Sequence, residues 1–208
     1  VISPNGDIHF IPLNSPIGQK ISIDGIISTY SLIYTVTSSY HGGVLAPNGD
    51  IHFVPFNAAV GQKISVSGVV STYSLIHTTS QAYHGGVLDT NGSIHFSQYL
   101  ANVGQKIDIN GVVSTYSLIY TTTAAYTGGV LAPNGDIHFV PYGAAVGQKI
   151  SSAGVISTYS LIRTSASGAY RGGVLDSNGD IHFVPIQVGQ GQKISTKPCK
   201  PFSKAMCL

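Results

Sequence analysis

Five histidines, His9, His52, His95, His138 and His182, recur in one phrase, N-G-x-I-H-F, at intervals of 43, 43, 43 and 44 residues. Imidazole is the commonest metal ligand and titrates near neutrality, so five in one register raise the possibility of a metal ring. The competing reading is structural: a His between Ile and Phe on a strand faces the next repeat and bonds a Ser, Thr or Tyr there. One imidazole per repeat is too few ligands to hold an ion, so no metal and no cofactor are expected. Lys20, Lys63, Lys106, Lys149 and Lys193 repeat in the same way. They either keep an outer strand of the repeat wet or ring an anionic ligand. Asp7, Asp50, Asp136 and Asp180 follow the glycine of the phrase, with Ser93 in the third copy. One carboxylate per site is weak for calcium, and a role in the turn is the simpler reading.

A second set varies where the first is constant. Tyr40, Tyr83, Tyr126 and Tyr170 each precede a polar residue that varies among the copies, His41, His84, Thr127 and Arg171, and then a paired glycine. A tyrosine beside a polar group and an open Gly-Gly backbone is expected to dock a sugar by stacking and hydrogen bonding. The alternative is that the four tyrosines close the core between repeats. Variation also gathers in two connectors, residues 34–39, 77–82, 120–125 and 163–169, and residues 13–17, 56–60, 99–103 and 142–146. Connectors of this kind are where rigid scaffolds present binding groups.

Composition removes several chemistries. The 208 residues contain no Glu and no Trp, two Arg, and only 9% charged residues against about 25% in an ordinary soluble domain. H-E-x-x-H proteases and two-Glu glycosidases are excluded, and no G-x-S-x-G, Walker loop or C-x-x-C is present. Without a unique carboxylate pair the repeats give no broken symmetry around which to build a catalytic centre, and the expectation is that the chain is not an enzyme. A net charge of +2, scattered, carries no nucleic-acid footprint. No run of 18 apolar residues exists, so no membrane insertion is expected. Val1 falls inside a repeat, which suggests a processed chain or a piece of a longer one.

The elements that must position these residues follow from the repeat. The hairpin glycines are Gly6, Gly49, Gly92, Gly135 and Gly179; the phrase G-Q-K-I begins twelve residues after each, and S-T-Y-S-L-I begins at Ser28, Ser71, Ser114 and Ser157. Asn-Gly between short apolar runs is a hairpin signal, and Ser67-Gly68, Asp24-Gly25 and Asn110-Gly111 mark a second turn. Each unit therefore reads as a four-stranded antiparallel meander. Apolar tracts such as Val69 to Ile76 suggest sheets covered on both faces. Meanders at this period point to an all-β fold, a β-propeller.

The unit G-G-V-L-A-P-N-G-D-I-H-F-V-P resembles the inner hairpin of β-propeller repeat proteins, the NHL, kelch and lactonase-like groups among them. It lacks the Trp usual beside the kelch Gly-Gly and the Trp-Asp of WD repeats. The expected architecture is five blades with an incomplete last one, in units 1–41, 42–84, 85–127, 128–171 and 172–195, followed by a non-repeat tail, 196–208. The tail is expected to cover an open edge. Its Cys199 and Cys207 either form a disulfide or stay free thiols, and Lys197, Lys200 and Lys204 make it basic. Asn91-Gly92-Ser93 matches a glycosylation acceptor but reads as turn sequence. The functional expectation is a non-catalytic, lectin-like multivalent binder of glycans, located outside the cell or on a virion. The alternative is a building block of a virion, sheath or extracellular assembly, packed on neighbouring subunits or on copies of itself. A propeller hydrolase or lactonase is the remote third.

Overall fold

A computed structural model describes residues 1–165 and 167–196. It contains five antiparallel sheets. The first holds β1 (Ile8–Phe10), β2 (Ile17–Ile21) and β3 (Ile27–Ser31); the second holds β4 (Tyr40–Leu45), β5 (Ile51–Pro55), β6 (Val60–Ile64) and β7 (Val70–Ser74). The third holds β8 (Tyr83–Leu88), β9 (Ile94–Gln98), β10 (Val103–Ile107) and β11 (Val113–Ser117). The fourth holds β12 (Tyr126–Leu131), β13 (Ile137–Pro141), β14 (Gly147–Ile150) and β15 (Ile156–Tyr159); the fifth, β16 (Tyr170–Leu175), β17 (Ile181–Pro185) and β18 (Gln192–Ile194). These are the blades of an all-β propeller, each strand pairing with the next in sequence. The first strands of successive blades, β4, β8, β12 and β16, pack on one another as an inner layer, and the sheets do not close into a ring.

The last blade lacks a fourth strand among the described residues, as the repeat count requires. The first blade also has three strands, because the chain before β1 supplies only a single bridge, Ile2 to Ile8, where other blades have a full inner strand. The unit boundaries read at 41/42, 84/85, 127/128 and 171/172 fall inside β4, β8, β12 and β16. The glycine pair lies within a strand: Gly42 has φ +83° at a register shift between Tyr40 and Gly43, so it forms a bulge rather than a boundary. The tail and its cysteines lie outside the described residues.

Each Asn-Gly turn is a compact loop in which Gly49 N donates to Ala46 O at 3.0 Å and Ala46 N to Asp50 O at 2.8 Å. Gly49, at φ +87°, supplies the left-handed step that follows the turn. The core lies between blades. Val44 and Val54 of one blade pack on Tyr83, Ile94, Phe96 and Ile107 of the next, and the pattern repeats through Val87 with Tyr126 and Phe139, and through Val130 and Val140 with Tyr170 and Phe183. The outer strands depart from expectation: Val69 and Ile76, read as covered on both sides, flank β7, the blade's edge strand, and are exposed.

The two ends of the arc show what each interface buries. Phe10 is 47% exposed where Phe53 is 0%, and Val184 is 48% exposed where Val140 is 1%. One residue ties neighbouring blades by hydrogen bonding. Gln62, fully buried, accepts from Ile33 N and Tyr34 N at 2.9 Å each, just past β3 of the preceding blade; Gln105 and Gln148 do the same for the next two.

Candidate functional site

The variable residues of the tyrosine phrase meet at the inner layer. His41, His84, Thr127 and Arg171 stand at the second position of β4, β8, β12 and β16, beside the connectors that leave the second strands. The His41 and His84 rings lie 3.5 Å apart, centre to centre. Phe56 flanks both, at 5.9 and 6.1 Å, and Tyr99 lies 5.6 Å from His84. Phe56, Tyr99 and Tyr142, at matching positions of three blades, continue one another at 5.9 and 6.2 Å. The Phe56 and Asn57 amides bond Ser39 O and Ser38 O, so the two variable connectors of a blade are held together at this end.

The electrostatics are those of buried and half-buried imidazoles beside one exposed cation. Burial holds His84 down at about 4, with the charges of His41 and Arg171 adding to the effect. His41 is lowered for the same first reason and by Arg171, while a backbone carbonyl opposes the shift. Both imidazoles are therefore neutral near pH 7, with Arg171 as the fixed positive charge. His84 Nδ1 and Thr127 Oγ1 are buried and have no hydrogen-bond partner among the described residues. Such atoms carry a desolvation cost of about 1–3 kcal/mol unless something bonds them.

The tyrosines of the same phrase do not take part. Tyr40, Tyr83, Tyr126 and Tyr170 are 0% exposed, edge-on or tilted against Phe53, Phe96, Phe139 and Phe183. Their rings cannot stack on a sugar, which corrects the expectation for these four. The aromatic surface beside the polar residues comes instead from Phe56, Tyr99 and Tyr142. Their signal in the sequence was the variable connector in which they lie.

The repeated polar residues form a second arrangement at the opposite, hairpin end. His52 Nδ1 is 3.2 Å from Tyr73 Oη in the same blade rather than a neighbouring one, and His95 and His138 pair likewise with Tyr116 and Tyr159. That tyrosine ring lies over the G-Q-K-I glycine: a Cβ on Gly61 would fall 2.1 Å from Tyr73. Four of the five lysines are held in ion pairs rather than left unpaired. Lys20, Lys63, Lys149 and Lys193 bind Asp7, Asp50, Asp136 and Asp180 at 2.5 to 2.7 Å, one strand over. The aspartates are thus ion-pair partners as well as turn residues. Among the described residues no cluster of three or more His, Cys or Asp stands where it could hold a metal ion.

No family model matches this chain, and no curated protein matches it by sequence. Solved structures do. A virginiamycin B lyase from Staphylococcus aureus superposes with a TM-score of 0.81 at 22% identity, over 94% of this chain and 65% of that one. A catalytically inactive His-to-Ala form of that lyase with quinupristin gives 0.77 at 20% identity, over 95% and 69%. The extracellular domain of a protein described as a hybrid two-component system from B. thetaiotaomicron gives 0.66 at 11%, over 95% of this chain and 26% of that one. The chain therefore spans 65% of the length of the first of these structures.

These findings correct the expectation that catalysis is excluded. The fold is one that lyases use, and the missing asymmetry is present: the copies diverge at the axial position, where four equivalent places hold His, His, Thr and Arg.

Proposed function

We propose that the axial cluster binds one small ligand bearing a flat, weakly polar face and an anionic or carbonyl group, an acidic sugar being the class that satisfies both. The observation that carries this reading is the convergence of His41, His84, Thr127 and Arg171, with two buried polar atoms lacking a partner among the described residues. Arg171 supplies the charge and a planar donor fork, His84 Nδ1 and Thr127 Oγ1 supply directional bonds, and Phe56, Tyr99 and Tyr142 supply a stacking surface. This is one composite site, in contrast to the several equivalent sites that a repeat suggests. Neighbours that include extracellular domains are consistent with such a role outside the cell. The test is a glycan array with acidic and neutral sugars, followed by calorimetry on the hits. Binding that Arg171→Ala and His84→Ala both abolish supports the reading; binding that survives both overturns it.

A second reading is favoured by the stacked, neutral imidazoles. A neutral His beside an arginine can take a proton from carbon next to a carbonyl: the C–H pair becomes a C=C bond, the leaving group departs, and Arg171 stabilises the developing oxyanion. His41, which is only half-buried, is the better placed base of the two. The structural neighbour that loses activity with a His-to-Ala change is in keeping with such chemistry. Absorbance of an unsaturated product from acidic-sugar esters or glycosides, lost in His41→Ala, supports this reading; its absence across that substrate set removes it.

A further inference from the structure

The third blade departs from its siblings at the hairpin end. In blades one, two, four and five a buried aspartate meets the lysine of the third strand, whereas the third blade has the buried Ser93 at that place, and among the described residues no carboxylate lies within 4 Å of Lys106 Nζ. All eight acidic side chains of the protein are among the described residues, and one of them, Asp89, stands nearby. It is already engaged: Oδ1 accepts from Asn91 N and Ser93 N at 2.8 and 2.7 Å, and Oδ2 lies 3.1 Å from His95 Nε2. Asp89 itself, with Lys106, Ser93, His95 and, from the next blade, Ser151 and Ser152, lines a cavity of about 260 Å³.

The fifth blade shows the completed version of this arrangement. Asp176 takes the place of Asp89, accepting from Asn178 N and Asp180 N and lying 3.0 Å from His182 Nε2. Asp180, in the place of Ser93, binds Lys193 at 2.5 Å. Two carboxylates, one lysine and one histidine thus coexist in this fold, so the charge of Asp89 does not forbid a second anion beside Lys106. We propose that the cavity between the third and fourth blades is a binding site for a small monocarboxylate, whose carboxyl group takes the position that Asp180 fills in the fifth blade. The cavity is smaller than the usual ligand pocket of about 300–1,000 Å³, which limits the occupant to a few heavy atoms or to the end of a peptide.

The test follows the ¹³Cε resonance of Lys106 during titration with sodium acetate, against sodium chloride at equal ionic strength. A saturable shift with acetate and none with chloride is expected, and Ser93→Asp, which supplies the carboxylate internally, should abolish it. Asp50→Ser should create a second acetate-sensitive lysine at Lys63. A shift that persists in Ser93→Asp, no saturable shift at all, or an equal response to inorganic phosphate would each overturn the assignment. A dipeptide with a free C-terminus, run beside its amide, distinguishes a peptide end from a free acid: matching the acetate shift assigns the former, and acetate alone assigns the latter. Thermal midpoints of each variant verify that the fold is retained, and none of these residues belongs to the axial cluster.

Discussion

The two ends of the blades treat the same repeat in opposite ways. At the hairpin end four of five lysines keep their aspartate and three histidines keep a tyrosine, whereas at the axial end four equivalent positions hold three residue types. Constancy at the first end is explained by contacts that recur from blade to blade. Divergence at the second has no packing reason, since the neighbouring tyrosines and glycines do not change with it. Groups that hold the blades and groups that meet a ligand are therefore separated by position along the strand, and that separation can be attacked experimentally.

The largest effect belongs to the layer common to both ends. Phe96→Ala removes a fully buried ring from the interface between the second and third blades and should cost about 3–5 kcal/mol in denaturant unfolding. Gly61→Ala tests the hairpin end alone: its Cβ would drive Tyr73 away from His52, at about 1–3 kcal/mol. The pH profile probes the same end. Burial holds His52 and His138 at about 4 in the folded protein against 6.5 for a free imidazole, so the unfolded chain takes up protons first. Their contribution is complete above pH 6.5 and is lost as the pH falls toward about 4. Thermal midpoints across that window should fall for the native protein and fall less for His52→Phe. Asp50→Asn breaks an ion pair whose lysine is one-third exposed, and should cost about 1 kcal/mol or less, a loss that shrinks in added salt. The smallest stability change, within about 0.5 kcal/mol, is expected for the exposed Arg171→Ala, even though ligand binding is lost with it. A large stability loss there would erase the distinction between the two ends.

Local signals made most of the fold legible. Asn-Gly and Ser-Gly turns lie between short apolar runs, and strands joined by tight turns pair with their neighbours, so the meander needs no long-range information. The divergent column His41, His84, Thr127 and Arg171 was visible as variation, and its meeting at the inner layer follows from the repeat's symmetry. What the sequence hid depended on register or on neighbouring blades. The link between Lys63 and Asp50 spans 13 residues and requires knowing that His52 opposes Lys63 across two strands. The outward face of Val69 depended on which strand forms the edge. The buried tyrosines could not be told from stacking ones, because a ring wedged between blades and a ring open to solvent share the same neighbours in sequence.

The glutamine that clasps the preceding blade has a consequence for how such a chain can change length. Every tie it makes, like every apolar interface, joins a residue to its counterpart's surroundings one period away and reaches no farther. Excising or duplicating a whole period therefore regenerates each junction unchanged, while a cut of any other size leaves a glutamine with nothing to hold. Copy number is free to drift by unequal exchange, and the molecule tolerates arithmetic on its repeats more readily than edits within one.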